Sequence, residues 1–154
     1  LTVSEFFDFV GGLYELPEDT VRAEGDRGHM LFDLEPYADT LIKELSHGWR
    51  QRLTYAVTFL HDPEVLFVDD PFIGLDPHTI LLLKNLLVNH ARSGKTVFMT
   101  THILALIEDI ADRVGILHRG RLAALGTVEE LRDDFAGEGR LEDVFLQLTA
   151  EKRP

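Results

Sequence analysis

Two adjacent carboxylates follow a short apolar run in the middle of the chain. The run 65–68 (VLFV) has the continuous hydrophobicity of a buried strand, and Asp69 and Asp70 come directly after it. Open α/β sheets bind ligands beyond the carboxyl ends of their parallel strands, which is where these acids are expected. Since neighbouring strand residues point in different directions, one carboxylate could hold Mg²⁺ while the other addresses a water molecule. The pair would also suit an ordinary solvated turn.

A second segment places three small or polar residues at the start of a predicted helix. Ser46, His47 and Gly48 precede a stripe of apolar residues at helical spacing. Backbone N–H groups at a helix N-terminus can bind an anion together with a serine hydroxyl, and glycine lets a phosphate approach closely. Ser46 could equally be a plain N-cap.

Two more polar residues follow predicted turns or strands. Residues 74–77 (GLDP) form a tight turn into a helix with Pro77 at its first position, so Asp76 could be only the N-cap of that helix. His102 comes just after a second buried strand, 96–100. Because both strands are predicted to be parallel, His102 is expected at the same sheet edge as Asp69.

The elements that must position these residues change in character near residue 62. Before it, the pattern predicts helices at 4–14, capped by Ser4, at 36–45 and from Gly48 to about 60, with 15–35 mostly loop or a weak helix around 19–23. After it, strands at 65–68, 96–100 and 114–117 alternate with helices at 77–92 and 103–111. A hairpin strand at 121–125 and helices at 127–134 and 141–149 complete the chain. This order predicts an α/β fold with a parallel sheet.

The composition bounds the possible functions. The chain has 154 residues, 45% of them hydrophobic, which suits one globular domain. Its net charge is −12 and it contains no basic stripe, so binding to nucleic acid is not expected. The absence of cysteine excludes disulfides, thiolate metal sites and cysteine nucleophiles.

Taken together and in this order, the four segments resemble the nucleotide-binding domain of ABC transporters. The segment 45–48 resembles the family signature motif, 65–69 resembles the Walker B motif, and Asp70 stands in the place of the catalytic glutamate. The segment 74–76 resembles the D-loop, and His102 the switch histidine. The segment 141–146 is similar to the ends of exporter ATPases. The resemblance implies a partial P-loop NTPase core with parallel strands plus an all-helical subdomain.

The chain departs from that family in several places. It contains no Gly-x-x-x-x-Gly-Lys-Ser/Thr, so the Walker A phosphate loop is absent from these residues. The Q-loop glutamine is also absent from them. His47 stands where glycine is more usual, Trp49 where glutamine is more usual, and Asp70 where glutamate is expected. We therefore expect the chain alone to bind ATP poorly and to hydrolyse essentially none. The expected parts are a helical subdomain with the signature helix (1–61), a partial ATPase core (62–126) and C-terminal helices (127–154).

The resemblance also implies a role for each candidate residue. Asp69 would bind Mg²⁺ and Asp70 would orient the attacking water, while His102 would contact the γ-phosphate of ATP. Ser46, His47 and Gly48 would address the ATP held by a second nucleotide-binding domain, in a homo- or heterodimer, and Asp76 would link the two sites. Residues 1–61 would face membrane (permease) subunits, which would hold the protein on the cytoplasmic face of the cell membrane.

Three functions fit these observations. The first is the ATPase subunit of an ABC transporter, with an exporter favoured. The second is a degenerate, non-catalytic subunit that supplies its signature motif to an active partner, which the missing phosphate loop and Asp70 favour. The third is an unrelated Mg²⁺-dependent phosphotransfer enzyme using Asp69 and Asp70, which leaves the other motifs unexplained.

Overall fold

The computed structural model describes residues 1–135 and 139–150, and the chain divides into two units, Leu1–Thr100 and Thr101–Pro154. The first unit contains α1 (Val3–Leu13), α2 (Glu18–Leu31), α3 (His47–Phe59), β1 (Val65–Asp69), α4 (Pro77–Arg92) and β2 (Thr96–Thr100). The second contains β3 (Val114–His118), β4 (Arg121–Gly126), α5 (Val128–Phe135) and α6 (Leu141–Thr149). The α/β class is confirmed. The three predicted parts, 1–61, 62–126 and 127–154, stay a prediction.

Helix α1 begins with a capping box formed by Thr2 and Glu5. The Glu5 backbone N–H donates to Oγ1 of Thr2 at 3.2 Å, and the Thr2 N–H donates to the Glu5 carboxylate at 2.8 Å. The expected cap, Ser4, is wrong because the helix already begins at Val3. Val3 and Phe7 form the buried face of α1.

Helix α2 is a full helix of 14 residues, where the sequence predicted mostly loop or a weak helix around 19–23. Its glycines explain the error, since they allow close packing rather than a turn. An ideal Cβ on Gly28 would lie 3.0 Å from Cε1 of Phe7, and one on Gly25 would lie 3.7 Å from the same ring. Both glycines therefore lie where α1 crosses α2, and the ring of Phe7 occupies the space that larger side chains would need.

The helix predicted at 36–45 is wrong. That segment forms two 3₁₀ turns, Glu35–Tyr37 and Ile42–Glu44, separated by a turn at 38–40 and the extended residue Leu41. Backbone groups of this segment that a helix would use form hydrogen bonds with the N-terminus of the chain instead. The Val3 N–H donates to the Thr40 carbonyl at 3.1 Å, and the Ile42 N–H donates to the Leu1 carbonyl at 3.1 Å.

The strand–helix–strand segment that carries the acids forms as expected. β1 and β2 pair in parallel, with Asp69 opposite Thr100 at the end of the register. Helix α4 connects them and contributes Leu83 and Leu87 to the core. It is followed by Gly94 with φ of 94°, a conformation that glycine adopts without strain. The opposite side of the pair is exposed at Phe67 and Phe98, whose ring centroids lie 5.6 Å apart.

The second unit is built on an antiparallel hairpin. β3 and β4 pair around the turn at Arg119–Gly120, as predicted. The helix predicted at 127–134 is confirmed as α5, and Thr127 and Glu130 form a capping box at its start by exchanging hydrogen bonds of 2.8 and 3.1 Å. The helix predicted at 103–111 is wrong, since only the 3₁₀ turn Leu104–Leu106 forms there. Across the described parts of the chain, no helix is both long and apolar enough to span a membrane.

Candidate functional site

Asp69 and Asp70 leave the sheet in different environments. Asp69, the last residue of β1, is exposed, and its carboxylate accepts a hydrogen bond from the Thr100 hydroxyl on the neighbouring strand. Asp70 is half-buried, and its backbone N–H donates to the Thr100 carbonyl at 3.0 Å. Its φ of 44° lies in the left-handed region, which is unfavourable for a residue with a Cβ. The two carboxylates therefore leave the strand from differently shaped backbones.

The donor set at Asp69 suits magnesium only in part. Magnesium in proteins is usually held by one or two carboxylates together with phosphate oxygens and waters. Asp69 supplies one exposed carboxylate and Thr100 supplies a hydroxyl oxygen beside it. Within 1–135 and 139–150, no group of three histidine, aspartate or glutamate side chains could hold a metal ion on its own. The site therefore fits Mg²⁺ that arrives with a phosphate ligand.

Asp76 is held by more partners than an N-cap needs. Its carboxylate accepts hydrogen bonds from the backbone N–H groups of His78 and Thr79, each at 3.1 Å, and from the Thr79 hydroxyl at 2.6 Å. Arg52 of α3 adds an ion pair at 2.7 Å. The Thr79 hydroxyl bond and then Arg52 hold the pKa of Asp76 well below its usual range. Asp76 is therefore ionised at any physiological pH.

The guanidinium of Arg52 joins three parts of the first unit. Besides Asp76, it binds the Asp33 carboxylate at 3.0 Å and the Phe32 carbonyl at 3.3 Å, both just after α2. It also lies 4.6 Å from the centre of the Trp49 ring, on its own helix. Its side chain is 14% exposed. Arg52 thus ties the start of α4 to α3 and to the end of α2.

The first turn of α3 contacts the turn that carries Asp76. Ser46 caps the helix, with its Oγ 3.4 Å from the Trp49 backbone nitrogen. A Cβ built on Gly74, whose φ is 76°, would lie 3.1 Å from Cδ2 of His47. A Cβ on Gly48 would meet only the Gly74 carbonyl oxygen, at 3.5 Å, which is ordinary contact. The fold therefore has room for a side chain at position 48.

A buried tyrosine links α3 to the segment that follows Asp70. Tyr55 is 4% exposed, and its hydroxyl donates to the Pro71 carbonyl at 2.7 Å. The same oxygen accepts a hydrogen bond from the Gln51 side-chain amide at 2.8 Å. Burial raises the pKa of Tyr55, so its hydroxyl stays protonated well above neutral pH.

The structure brings six of the seven predicted site residues into the first unit. Ser46, His47 and Gly48 adjoin the turn that carries Asp76, and Asp69 and Asp70 begin the segment that leads to it. His102 is exposed and lies in the second unit, two residues after β2, so its part in the site stays a prediction.

Sequence reasoning missed the two α3 residues that hold this segment, Arg52 and Tyr55. Both lie on the face that begins with Gly48, four and seven residues further along the helix. That spacing is the signal the sequence offers, and it does not reveal their partners, Asp76 and the Pro71 carbonyl.

The chain is similar to several known proteins. A family described as "AAA domain, putative AbiEii toxin, Type IV TA system" matches residues 4–108. The chain is 33% identical over 152 residues to the ABC-type transporter ATP-binding protein EcsA of Bacillus subtilis, covering 98% of this chain and 62% of that protein. It is 40% identical over 95 residues to a fluoroquinolones export ATP-binding protein of Mycobacterium tuberculosis, covering 62% of this chain and 32% of that protein.

A solved structure matches almost the whole chain. It is described as the ATP binding subunit of an ABC transporter, with a TM-score of 0.91 and 30% sequence identity over 96% of this chain. The chain spans 62% of the length of that structure, as it does of EcsA.

Proposed function

Because the chain belongs to the family of ABC transporter ATP-binding proteins, we propose that it forms the signature-bearing part of an ATPase subunit that powers an exporter. The observation that carries the proposal is the contact between the start of α3 and the turn before α4. It places Gly48 beside Gly74 and joins Arg52 to Asp76, so the two segments proposed to meet a nucleotide form one surface. The fluoroquinolone exporter among its relatives supports the direction of transport.

In this proposal the end of β1 supplies the catalytic carboxylates. Asp69 would hold Mg²⁺, which when bound neutralises charge that develops on the phosphates. Asp70 would accept a proton from the attacking water or orient it, and the bond to the Thr100 carbonyl fixes the backbone from which it projects. His102 would donate a hydrogen bond to the γ-phosphate and stabilise its negative charge.

The start of α3 would act on the ATP of a partner domain. The N–H groups of its first turn and the Ser46 hydroxyl form a site for an anion, with His47 beside them. Gly48 keeps that surface free of a side chain, although the fold itself has room for one. Asp76 would connect this surface to the subunit's own site, in a homo- or heterodimer of two such domains.

Helix α1 offers the surface that we assign to the membrane subunits. Phe9 is 51% exposed and Leu13 is 64% exposed, one turn apart on the same face, and the ring of Phe6 stacks on Phe9 at 6.3 Å. An apolar ridge of this kind suits a short helix of a permease subunit, which would hold the protein at the cytoplasmic face of the cell membrane.

One observation favours a second function, that of a non-catalytic subunit. Asp70 is one methylene shorter than glutamate, so its carboxylate reaches roughly 1.2–1.5 Å less far. A misplacement of about 1 Å can cost 100-fold in rate where positioning matters. A subunit of this kind would supply Ser46 and Gly48 to an active partner while hydrolysing little itself.

Measuring ATP hydrolysis separates the two functions. In the intact subunit assembled with its partners, Asp70→Asn should lower kcat with ATP binding retained, and Asp70→Glu should raise kcat. An unchanged rate in Asp70→Asn would favour the non-catalytic subunit. As a control, the 154-residue chain should bind Mg-ATP weakly in a calorimetric titration and show no turnover. Micromolar binding with turnover would contradict the proposal that the phosphate loop lies outside these residues.

A further inference from the structure

One face of α3 contacts the segment between Asp70 and α4 at three successive levels. His47 and Gly48 lie against Gly74, Arg52 binds Asp76 at 2.7 Å, and the Tyr55 hydroxyl donates to the Pro71 carbonyl at 2.7 Å. The last contact is next to Asp70 in the chain. It is also the most buried of the three, because Pro71 is fully buried and Tyr55 is 4% exposed.

We propose that Tyr55 is a positioning residue for Asp70, acting through the hydrogen bond from its hydroxyl to the Pro71 carbonyl. The inference rests on the proposed role of Asp70 in orienting water. It assigns to a buried side chain of α3 an effect, through the Pro71 carbonyl, on the position of the Asp70 carboxylate in the same subunit.

The backbone at Asp70 needs such support. A φ of 44° is unfavourable for a residue with a Cβ and persists only where the surroundings hold it. On the N-terminal side, the Asp70 N–H is held by the Thr100 carbonyl at 3.0 Å. On the C-terminal side, the Asp70 carbonyl accepts a hydrogen bond of 3.3 Å from the Ile73 N–H. The bond from Tyr55 to the Pro71 carbonyl, at 2.7 Å, is shorter than both of these and fixes the chain just after Asp70.

The hydroxyl of Tyr55 is directed toward this one acceptor. The Gln51 amide donates to the tyrosine oxygen, which leaves the hydroxyl proton free to point at Pro71. Burial raises the pKa of Tyr55, so the proton is present throughout the pH range in which an ATPase works. A buried carbonyl that loses its donor has no bulk water to replace it, so the segment must shift to find another.

The test is Tyr55→Phe, which keeps the ring and removes only the hydroxyl. In the intact subunit we expect kcat to fall about tenfold, less than the 100-fold that a misplacement of about 1 Å can cost. Apparent KM for ATP should stay within about twofold, because the groups that bind ATP are unchanged. Tyr14→Phe is the matched control, since Tyr14 is exposed at the end of α1 and stacks on His61. It should leave both constants unchanged.

A second readout needs no activity. In the 154-residue chain, Tyr55→Phe should speed hydrogen exchange at the Ile73 amide and leave the amides in the middle of α4 unchanged. Gln51→Leu keeps the tyrosine hydroxyl but frees it to turn, so it should give a smaller increase at the same amide. If Tyr55→Phe does not fold, Gln51→Leu decides, and wild-type exchange and kcat in that variant would overturn the proposal.

The outcomes also separate this proposal from the proposed function. If Asp70→Asn lowers kcat while folded Tyr55→Phe hydrolyses ATP at the wild-type rate, the role of Tyr55 is wrong and that of Asp70 stands. If Asp70→Asn has no effect, the role of Asp70 itself is wrong, whatever Tyr55→Phe does. A fall in kcat accompanied by an equal rise in KM, or by faster exchange throughout α4, would show a merely structural tyrosine and overturn the proposal.

Discussion

Neighbouring glycines in α1 should respond to the same substitution with opposite sign. Gly11 is buried, and an ideal Cβ there would lie 2.4 Å from Cγ2 of Val21 and 3.0 Å from Cγ1. Gly12 is exposed, and nothing lies within 4 Å of its ideal Cβ. Gly11→Ala should therefore destabilise the first unit and Gly12→Ala should stabilise it.

The expected magnitudes come from two opposing effects. Alanine is favoured over glycine within a helix by roughly 0.5–1 kcal/mol, and both positions gain this. At position 11 the added methyl must displace a buried, β-branched side chain, and such overpacking costs about 1–3 kcal/mol. The free energy of unfolding should then rise by roughly 0.5–1 kcal/mol for Gly12→Ala, and the two variants should differ by about 1–3 kcal/mol.

Urea unfolding followed by tryptophan fluorescence measures this difference. Trp49 is the only tryptophan of the chain and lies in α3, which contacts both α1 and α2, with its ring 4.4 Å from that of Tyr37. Its signal therefore reports the part of the fold in which both glycines lie. Equal stabilisation by the two alanines would refute the close approach of Gly11 to Val21, and with it the packing of α1 on α2.

Three further outcomes are expected. The pKa of Asp76 is lowered in the folded state, so its stabilising contribution is present above its ordinary pKa near 4 and is lost as the pH falls below that value. The free energy of unfolding of Asp76→Asn, measured with urea between neutral pH and about pH 2, should therefore fall less at acidic pH than that of the wild type. Gly48→Ala should leave the urea midpoint of the chain unchanged or higher, because the added Cβ has room. In a mixed dimer it should nevertheless block ATP hydrolysis at the site that faces the variant subunit. Loss of the nucleotide bound by the variant subunit itself would contradict action in trans. The double variant Phe9→Ser, Leu13→Ser should abolish transport in vesicles that contain the assembled transporter, while ATP hydrolysis remains. Equal loss of ATP hydrolysis and of dimerisation would contradict the proposed contact of α1 with the membrane subunits.

The sequence predicted best those elements whose signals are local. The apolar run before Asp69 and the proline at the start of α4 each act within a few residues, and both predictions are confirmed. The full length of helix α2 was missed because glycines such as Gly25 and Gly28 usually interrupt helices. These glycines allow close contact with Phe7, which precedes Gly25 by 18 positions and Gly28 by 21. A local sequence pattern cannot reveal a contact over that separation.

The candidate site divides in the same way. Asp69, Asp70 and Asp76 could be found because carboxylates after a strand or before a helix stand out by type and position. Arg52 and Tyr55 could not, because their importance depends on partners 24 and 16 residues away, Asp76 and the Pro71 carbonyl. Within α3 alone, an arginine and a tyrosine look like ordinary helix residues, and only their contacts with the segment after Asp70 distinguish them.

The exposed aromatic pair on β1 and β2 also affects the solubility of the chain. Phe67 is 73% exposed and Phe98 is 58% exposed, beside a Val65 that is 50% exposed. A contiguous apolar patch on a short sheet favours contact between molecules, and such contacts strengthen when salt screens the net charge of −12 that keeps the molecules apart. Solutions of the chain should therefore become turbid with rising protein concentration and with added salt. Phe67→Lys, which interrupts the patch, should raise the concentration at which this begins.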